Sequence, residues 1–541
     1  MRELSLAIAT LLLPLTACAQ NDTAPTRADT LRGALRPERT AFDVVHYALE
    51  VELLPASETL RGEVAVAYRG VEPADTIQLD LAPQLEITSL TQGGREVGFR
   101  REHGAVFIGL TSPTQPGRLD TVVVGYAGRP VAAVNPPWDG GLSWSRDTLG
   151  RPWIGVSCEG LGASAWWPNK DHLSDEPDSA AVAVIVPEPL EAIANGQPRG
   201  VEALPGGRRR FRYAVTYPIN NYNVTLYAGH YAHFTDTLAG EAGTEPLELH
   251  YAVLDYNLDR AREHFRQVKP MLRCYEDLLG PYPFPRDGYR LVEAPYLGME
   301  HQSGIAYGND FQRGYAGGMI PDDMDWDYLI VHESGHEYFG NAVSVSDHAE
   351  MWLHESFTTY LEALYVECRY GSEAYRRYLD GQRPLITNQE PLLGPLGVNY
   401  TDFASADYYF KGAWVLHTFR EAVGDGPFLA VLRDFYRRHA IGHVQTTDWL
   451  AAVEERFGER YATFWRHYLE RGNLPELRVA GGLGAGTTVA SFHGVDPDFE
   501  LPLDVAGRRI VVSGRPQTFP LSPSEWRSLD AAGYLIDWNP G

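Results

Sequence analysis

Cysteine and long apolar runs are both scarce in this sequence. Its 541 residues contain four cysteines, too few for a disulfide framework, and no CxxC pair that would indicate a thiolate zinc site. Beyond residue 15, no segment approaches the roughly 18 uninterrupted apolar residues of a membrane-spanning helix. No internal repeat is present. These absences exclude a disulfide scaffold and a membrane-spanning domain.

Positive charge is also in short supply. Lysine and arginine number 46 against 71 aspartates and glutamates, a formal net charge of −25. So acidic a surface repels phosphates, which excludes nucleic acid as an expected partner. The 44% hydrophobic and 22% charged fractions are typical of a globular protein. At about 150 residues per domain, the length predicts three to four domains.

An apolar stretch of signal-peptide length begins the chain. Residues 4–15 are apolar and end in Leu15-Thr16-Ala17-Cys18, a tetrad that resembles a bacterial lipobox. The resemblance implies that residues 1–17 are a lipoprotein signal peptide and that Cys18 carries a lipid. We therefore expect an exported protein anchored to a bacterial membrane, on its periplasmic or cell-surface side. A plain secretory signal with an incidental cysteine is the alternative. The cysteines that remain are odd in number, so at least one is free: Cys158, Cys274 and Cys368.

Hydrophobic periodicity divides the rest of the chain into an α+β protein of three domains. Residues 18–38 are polar and aperiodic, which predicts a flexible linker. Alternating strands, such as the one with Val45, Tyr47 and Leu49 on its core face, predict an N-terminal antiparallel β domain over 39–244. Helical spacing dominates 245–474, and strands return in a small C-terminal β module over 475–541.

The helical region contains a pattern typical of a zinc site. In His332-Glu333-Ser334-Gly335-His336 the two histidines lie one helical turn apart, so both imidazoles can bind one Zn²⁺ beside Glu333. Glu355, separated from His336 by 18 intervening residues and on a second predicted helix, supplies a third ligand. Two histidines and one carboxylate leave a fourth position for water, as in catalytic sites. His348 and His354 lie nearby but lack the spacing of ligands.

HESGHEYFGN followed by WLHESFTTYLE resembles the zinc aminopeptidases typified by aminopeptidase N and leukotriene hydrolase, of the gluzincin clan. The resemblance covers most of residues 39–475. It implies a thermolysin-like catalytic domain, one Zn²⁺ per chain, and Glu333 as general base. Larger relatives cover the active site with a long helical C-terminal domain, so the short segment after residue 474 implies a more open cleft.

The same resemblance assigns the residues that recognise substrate. Leu297-Gly298-Met299-Glu300-His301 matches the family's Gly-x-Met-Glu-Asn strand at Met299 and Glu300 but departs from it at the first glycine and the asparagine. Glu300 would bind the free α-amino group, helped by Glu159, while Gly298 and Met299 would contact the peptide. Tyr409, in register with Lys411-Gly412, matches the tyrosine that stabilises the tetrahedral intermediate.

These assignments predict a zinc aminopeptidase that acts, as an expected monomer, on peptides with a free N-terminus. A thermolysin-type endopeptidase shares the zinc pattern but would not need Glu300. A non-catalytic peptide-binding lipoprotein would not need Glu333 or Tyr409. The preferred N-terminal residue and any epoxide hydrolase activity stay open.

Overall fold

The computed structural model describes residues 25–240, 245–399, 405–482 and 486–539. The predicted signal peptide and Cys18 lie outside this range. Among the described residues, no helix is both long and apolar enough to cross a membrane.

The N-terminal domain is built almost entirely of strands. Its elements are α1 Arg27–Gly33, α2 Pro37–Thr40, β1 Phe42–Leu54, β2 Thr59–Gly70, β3 Thr76–Asp80, β4 Leu85–Gln92, β5 Arg95–Glu96, β6 Phe99–Glu102, β7 Ala105–Gly109, β8 Leu119–Gly128, β9 Gly141–Arg146, β10 Pro152–Ser157, β11 Ser179–Pro187, β12 Glu191–Ala194, β13 Gln197–Leu204, β14 Arg208–Val215 and β15 Leu226–Gly229. An eight-stranded sheet has the order β13-β14-β11-β1-β2-β8-β4-β5, and smaller sheets are β12-β15-β10-β9 and β3-β7-β6. The β domain is antiparallel as predicted, except that β1 and β11 pair in parallel.

Helices dominate the middle of the chain. The elements are β16 Tyr231–Leu238, β17 Leu247–Leu254, α3 Leu258–His264, α4 Val268–Leu279, β18 Tyr289–Glu293, β19 Gly298–Met299, β20 Ile305–Tyr307, α5 Tyr328–Gly335, β21 Val343–Val345, α6 Trp352–Tyr370, α7 Ser372–Gln382, α8 Asp407–Val423, α9 Asp425–His439, β22 Gly442–Val444, α10 Thr446–Phe457 and α11 Ala462–Glu470. One five-stranded sheet, β16-β17-β18-β20-β19, flanks the helices and places β19 at its edge. A disulfide joins Cys274 of α4 to Cys368 of α6, and Cys158 is buried and free, which confirms that at least one thiol is unpaired.

The C-terminal module returns to strands, as predicted. It comprises β23 Glu476–Gly481, β24 Thr488–His493, β25 Glu500–Val505, β26 Arg508–Ser513, β27 Gln517–Phe519, α12 Pro523–Trp526 and β28 Asp537–Trp538. It docks on the helical domain through hydrogen bonds such as Tyr468 Oη to the Leu535 carbonyl, 2.6 Å. One continuous buried apolar core runs through all three regions.

Three details differ from the sequence-based expectation. Residues 25–38 of the predicted flexible linker include α1 and the start of α2, and Leu31 is buried. These residues are ordered because the β domain buries their apolar side chains and hydrogen-bonds to their carbonyl groups. The strand β16 pairs with β17, so the sheet of the catalytic domain begins at Tyr231, inside the predicted range 39–244. A register shift between Val44 and His46 buries Val44 in place of Val45, since a bulge moves the following residues to the other face.

Candidate active site

The three predicted zinc ligands converge on one point. Asp327 caps the start of α5 by accepting hydrogen bonds from Leu329 and Ile330, and α5 carries His332 at its last turn and His336 at its C-cap. Buried helix α6 carries Glu355 in its first turn. His332 Nε2 and His336 Nε2 lie 3.2 Å apart, and each lies 3.4 Å from Glu355 Oε2.

The spacing of these atoms fits a tetrahedral zinc ion. Ligand atoms at about 2.0–2.1 Å from tetrahedral Zn²⁺ lie roughly 3.3 Å from one another. The buried Glu355 Oε2 has no hydrogen-bond partner among the described residues, which suits an oxygen reserved for a cation. Among the described residues, these three form the group whose possible ligand atoms lie close enough together to hold a metal ion.

Each histidine is fixed by a second contact through its other ring nitrogen. His332 Nδ1 lies 2.5 Å from Glu362 Oε1, and His336 Nδ1 lies 2.9 Å from the Phe339 carbonyl. With Nδ1–H donating to these oxygens, Nε2 of both rings is left free for the metal. The sequence reasoning missed Glu362, although it follows Glu355 by seven residues, two turns along the same face of α6. His354 instead accepts a hydrogen bond from Val345 N at 2.8 Å and is not a ligand.

Glu333 is buried and lines the same cavity as His332, His336 and Glu355. Burial raises the pKa of its carboxyl to about 8, reinforced by Glu300 and Glu355 and opposed by the two histidines. A bound cation would lower that pKa again. Gly298 packs against it so closely that a Cβ at this position would overlap Glu333 Oε1. This close approach explains why glycine is needed in β19.

The edge strand β19 forms one wall of the cavity that the three metal ligands line. The cavity has a volume of about 440 Å³. Gly298 and Met299 line it, and pairing with β20 on one side only leaves backbone groups available on the other. Glu300 follows the strand, its carbonyl accepting from Asn341 Nδ2 at 2.8 Å and its Oε1 from Tyr222 Oη at 3.0 Å. His301, which replaces the expected asparagine, is buried with Nδ1 2.8 Å from Tyr227 Oη.

Glu159 reaches the same cavity from the β domain, after the end of β10. Burial raises the pKa of the Glu159 carboxyl well above its ordinary range, and the nearby carboxylates of Glu300, Glu355 and Glu333 raise it further. Burial also raises the pKa of Glu300. Within the described residues Glu159 Oε1 has no hydrogen-bond partner. The cavity therefore concentrates several carboxyl groups in a small volume.

Tyr409 and its neighbour Tyr408 both line the cavity from the first turn of α8. The Tyr409 ring centroid lies 6.0 Å from that of His332 and 4.4 Å from that of Tyr408. Burial raises the pKa of Tyr409, so its hydroxyl stays protonated as a donor. The structure thus places all the predicted site residues except Cys18 around one cavity.

Residues 265–468 match the family model described as the peptidase family M1 domain. The chain therefore contains a peptidase family M1 domain over these residues. Its relatives include aminopeptidase N of Streptomyces lividans, 29% identical over 38% of this chain and 25% of that protein, and leukotriene A-4 hydrolase of Xenopus laevis, 23% identical over 82% of this chain and 73% of that protein. Aminopeptidase N of Escherichia coli is 24% identical over 52% of this chain.

The chain spans only part of some of these relatives, a quarter of the Streptomyces protein and 33% of the Escherichia coli protein. A solved M1 zinc metallopeptidase from Deinococcus radiodurans shares its fold, with a TM-score of 0.66 and 24% identity over 80% of this chain and 95% of that one. A two-domain M1 zinc metallopeptidase bound to L-tryptophan is equally similar, at 0.66 and 24% over 80% of this chain and 96% of that one.

Proposed function

We propose that this M1 chain is a zinc-dependent aminopeptidase that hydrolyses the N-terminal residue from peptides. The observation that carries the proposal is that the half-buried Glu159 and the buried Glu300 line the same cavity as the metal ligands. A buried carboxylate without a cation is costly, and an ammonium group offers three donors and a balancing charge. A Deinococcus radiodurans neighbour is described as bound to a Tyr-Ser-Ala substrate, which supports peptides as the substrate class.

The site residues of the cavity have separate roles in the proposed hydrolysis. A Zn²⁺ held by His332, His336 and Glu355 would polarise the scissile carbonyl and acidify a water molecule. Glu333 accepts the proton of the attacking water and passes it to the leaving amine. The Tyr409 hydroxyl donates a hydrogen bond to the developing oxyanion, a contribution of about 10²- to 10³-fold in rate. Glu159 and Glu300 fix the ammonium, so the first peptide bond reaches the metal.

The test compares substrates that differ only at the amino group. An amino acid anilide with a free amine should be cleaved, whereas its N-acetylated form should not, because acetylation removes the charge that Glu159 and Glu300 bind. A chelator should abolish turnover. The variant Glu333→Gln should retain zinc by metal analysis and lose activity by at least about 10³-fold. Equal cleavage of acetylated and free substrates would instead favour the thermolysin-type endopeptidase.

We further propose that the protein is exported, works as a monomer, and is held to a bacterial membrane by a lipid on Cys18. The Cys274–Cys368 disulfide supports export, because such bonds persist in oxidising compartments. Replacing Cys18 by Ala should move the enzyme from the membrane to the soluble fraction on centrifugation. An unchanged membrane fraction would contradict lipid attachment.

A further inference from the structure

Helix α1 forms part of the cavity wall, although it precedes the β domain. Two of its side chains, Asp29 and Arg32, line the cavity together with Glu159, Glu300 and the metal ligands. None of the described residues of the C-terminal module lines it. The N-terminal segment therefore occupies a position next to the catalytic centre.

Contacts to both large domains hold α1 in place. The Leu31 carbonyl accepts a hydrogen bond from Gln78 Nε2 at 2.9 Å, and Asn399 N donates to the Asp29 carbonyl at 3.2 Å. Gly33 packs so closely on the chain at 398–399 that a Cβ there would overlap its backbone. Because α1 is fixed on two sides, its arginine is held at a defined place.

Arg32 forms an ion pair within this wall. Its Nε lies 3.3 Å from Asp171 Oδ2, with 19% and 7% of the two side chains exposed. Asp171 Oδ2 also accepts hydrogen bonds from Ser164 N and Oγ at 3.1 and 2.6 Å. The pair lies directly against Gly162, whose φ is +89° and where a Cβ would overlap the Arg32 guanidinium.

Gly162 closes the turn that carries Glu159. Its N–H donates to the Cys158 carbonyl at 2.6 Å, and Cys158 Sγ donates to the Tyr222 carbonyl at 3.4 Å. Tyr222 in turn donates to Glu300. The Arg32–Asp171 pair thus supports one end of a short turn whose middle presents Glu159 to the cavity.

We propose that Arg32 is a positioning residue for ammonium binding: with Asp171 it supports the Cys158–Gly162 turn and so fixes where Glu159 meets the substrate amine. The assignment rests on the proposed aminopeptidase function. Methionine in place of Arg32 keeps an unbranched apolar side chain but removes the charge and the fork of donors. The turn then loses its rigid support, and Glu159 binds the ammonium less well.

The experiment compares the full-length wild type with Arg32→Met, Arg32→Lys and Arg27→Met. Arg27 lies on the same helix and pairs with Glu102 at 2.8 Å, but it does not line the cavity, so Arg27→Met is the matched control. For a free-amine anilide, R32M should raise KM about tenfold with kcat changed less than threefold and zinc content unchanged. R32K should recover part of the loss, and R27M should match the wild type.

A binding measurement separates this assignment from the proposed function. Calorimetry with leucinamide should show about tenfold weaker binding to R32M than to the wild type. A wild type that binds leucinamide but does not turn over would overturn the aminopeptidase proposal and leave the positioning role supported. Three results would overturn the positioning role. R32M and the wild type could bind leucinamide with equal affinity, the wild type could fail to bind leucinamide, or R27M could lose as much affinity as R32M.

Discussion

Glu362 shows how a residue without a direct role can set the properties of a metal site. It lies 2.5 Å from His332 Nδ1 and also accepts hydrogen bonds from Tyr378 and Gln382. Partners of this kind orient the ring and increase its basicity as a ligand. The zinc site is thus held by buried side chains on three helices, α5, α6 and α7.

We expect Glu362→Gln to weaken zinc binding by about 10- to 100-fold, because a neutral amide orients and polarises His332 less well than a carboxylate. Competition with a fluorescent zinc chelator measures this affinity. Glu367→Gln, on the same helix but paired with Arg420, is the control and should bind zinc normally. Unchanged affinity in the Glu362 variant would show that the contact does not tune the metal.

Spacing predicted His332 and His336, because a helix fixes which residues share a face, and Glu355 followed as the carboxylate on the next predicted helix. Spacing could not supply Glu362, whose role depends on how α6 packs against α5. The resemblance placed Glu159, Glu300 and Tyr409 in one cavity, yet no local pattern marks Arg32. That residue acts through Asp171, which is 139 positions away in the sequence, and such distant contacts leave no periodic signal.

Among the secondary-structure elements, α1 departs most from the sequence-based expectation. Its polar composition is typical of a linker, and its stability comes from tertiary contacts that composition does not reveal. The bulge at Val45 and the assignment of β16 are comparable cases. Alternation identifies a strand, but it does not identify a bulge within the strand or which of two adjacent sheets the strand joins. Long strands and helices were therefore predictable, and their partners were not.

The docking of α1 should weaken in acid through His172. Ser174 N donates to its Nδ1 at 3.2 Å and its Nε2 lies 3.1 Å from the Gly33 carbonyl, so the ring is neutral with its proton on Nε2. Burial, with Arg39 nearby, lowers the pKa of His172 from 6.5 to about 4. The unfolded chain therefore gains a proton first, and stability falls as the pH drops from 6.5 towards 4.

This coupling should remove about 2 kcal/mol of unfolding free energy between pH 7 and pH 5. Urea titrations at both pH values measure it, with His172→Gln as the comparison, because glutamine can still donate to the Gly33 carbonyl but does not titrate. The variant should lose about 2 kcal/mol less than the wild type over the same range. An identical loss in the two proteins would rule out His172 as the source.

At the scale of the whole molecule, a covalent loop encloses the metal site. The Cys274–Cys368 disulfide joins residues 94 positions apart, and His332, His336 and Glu355 all fall within that interval. The C-terminal module, by contrast, packs on α8 and α11, and none of its described residues lines the cavity. The catalytic region is thus constrained by chain closure as well as by packing.

Replacing both Cys274 and Cys368 by Ser should lower the unfolding free energy by roughly 2–5 kcal/mol, because an open loop of this length has more conformational freedom in the unfolded chain. Denaturant unfolding measures the loss, and kcat at 25 °C should stay close to that of the wild type. A reducing agent should destabilise the wild type and leave the double variant unaffected. Equal stability of the two oxidised proteins would show that the bond contributes nothing.

The fixed position of α1 has a consequence for where this enzyme would work. Asp29, which lines the cavity, follows Cys18 by eleven residues, and a fully extended chain of that length spans at most about 40 Å. With the lipid proposed on Cys18, Asp29 and the cavity that it lines would stay within about that distance of the lipid headgroups. The peptides it meets would be those released or carried along that surface.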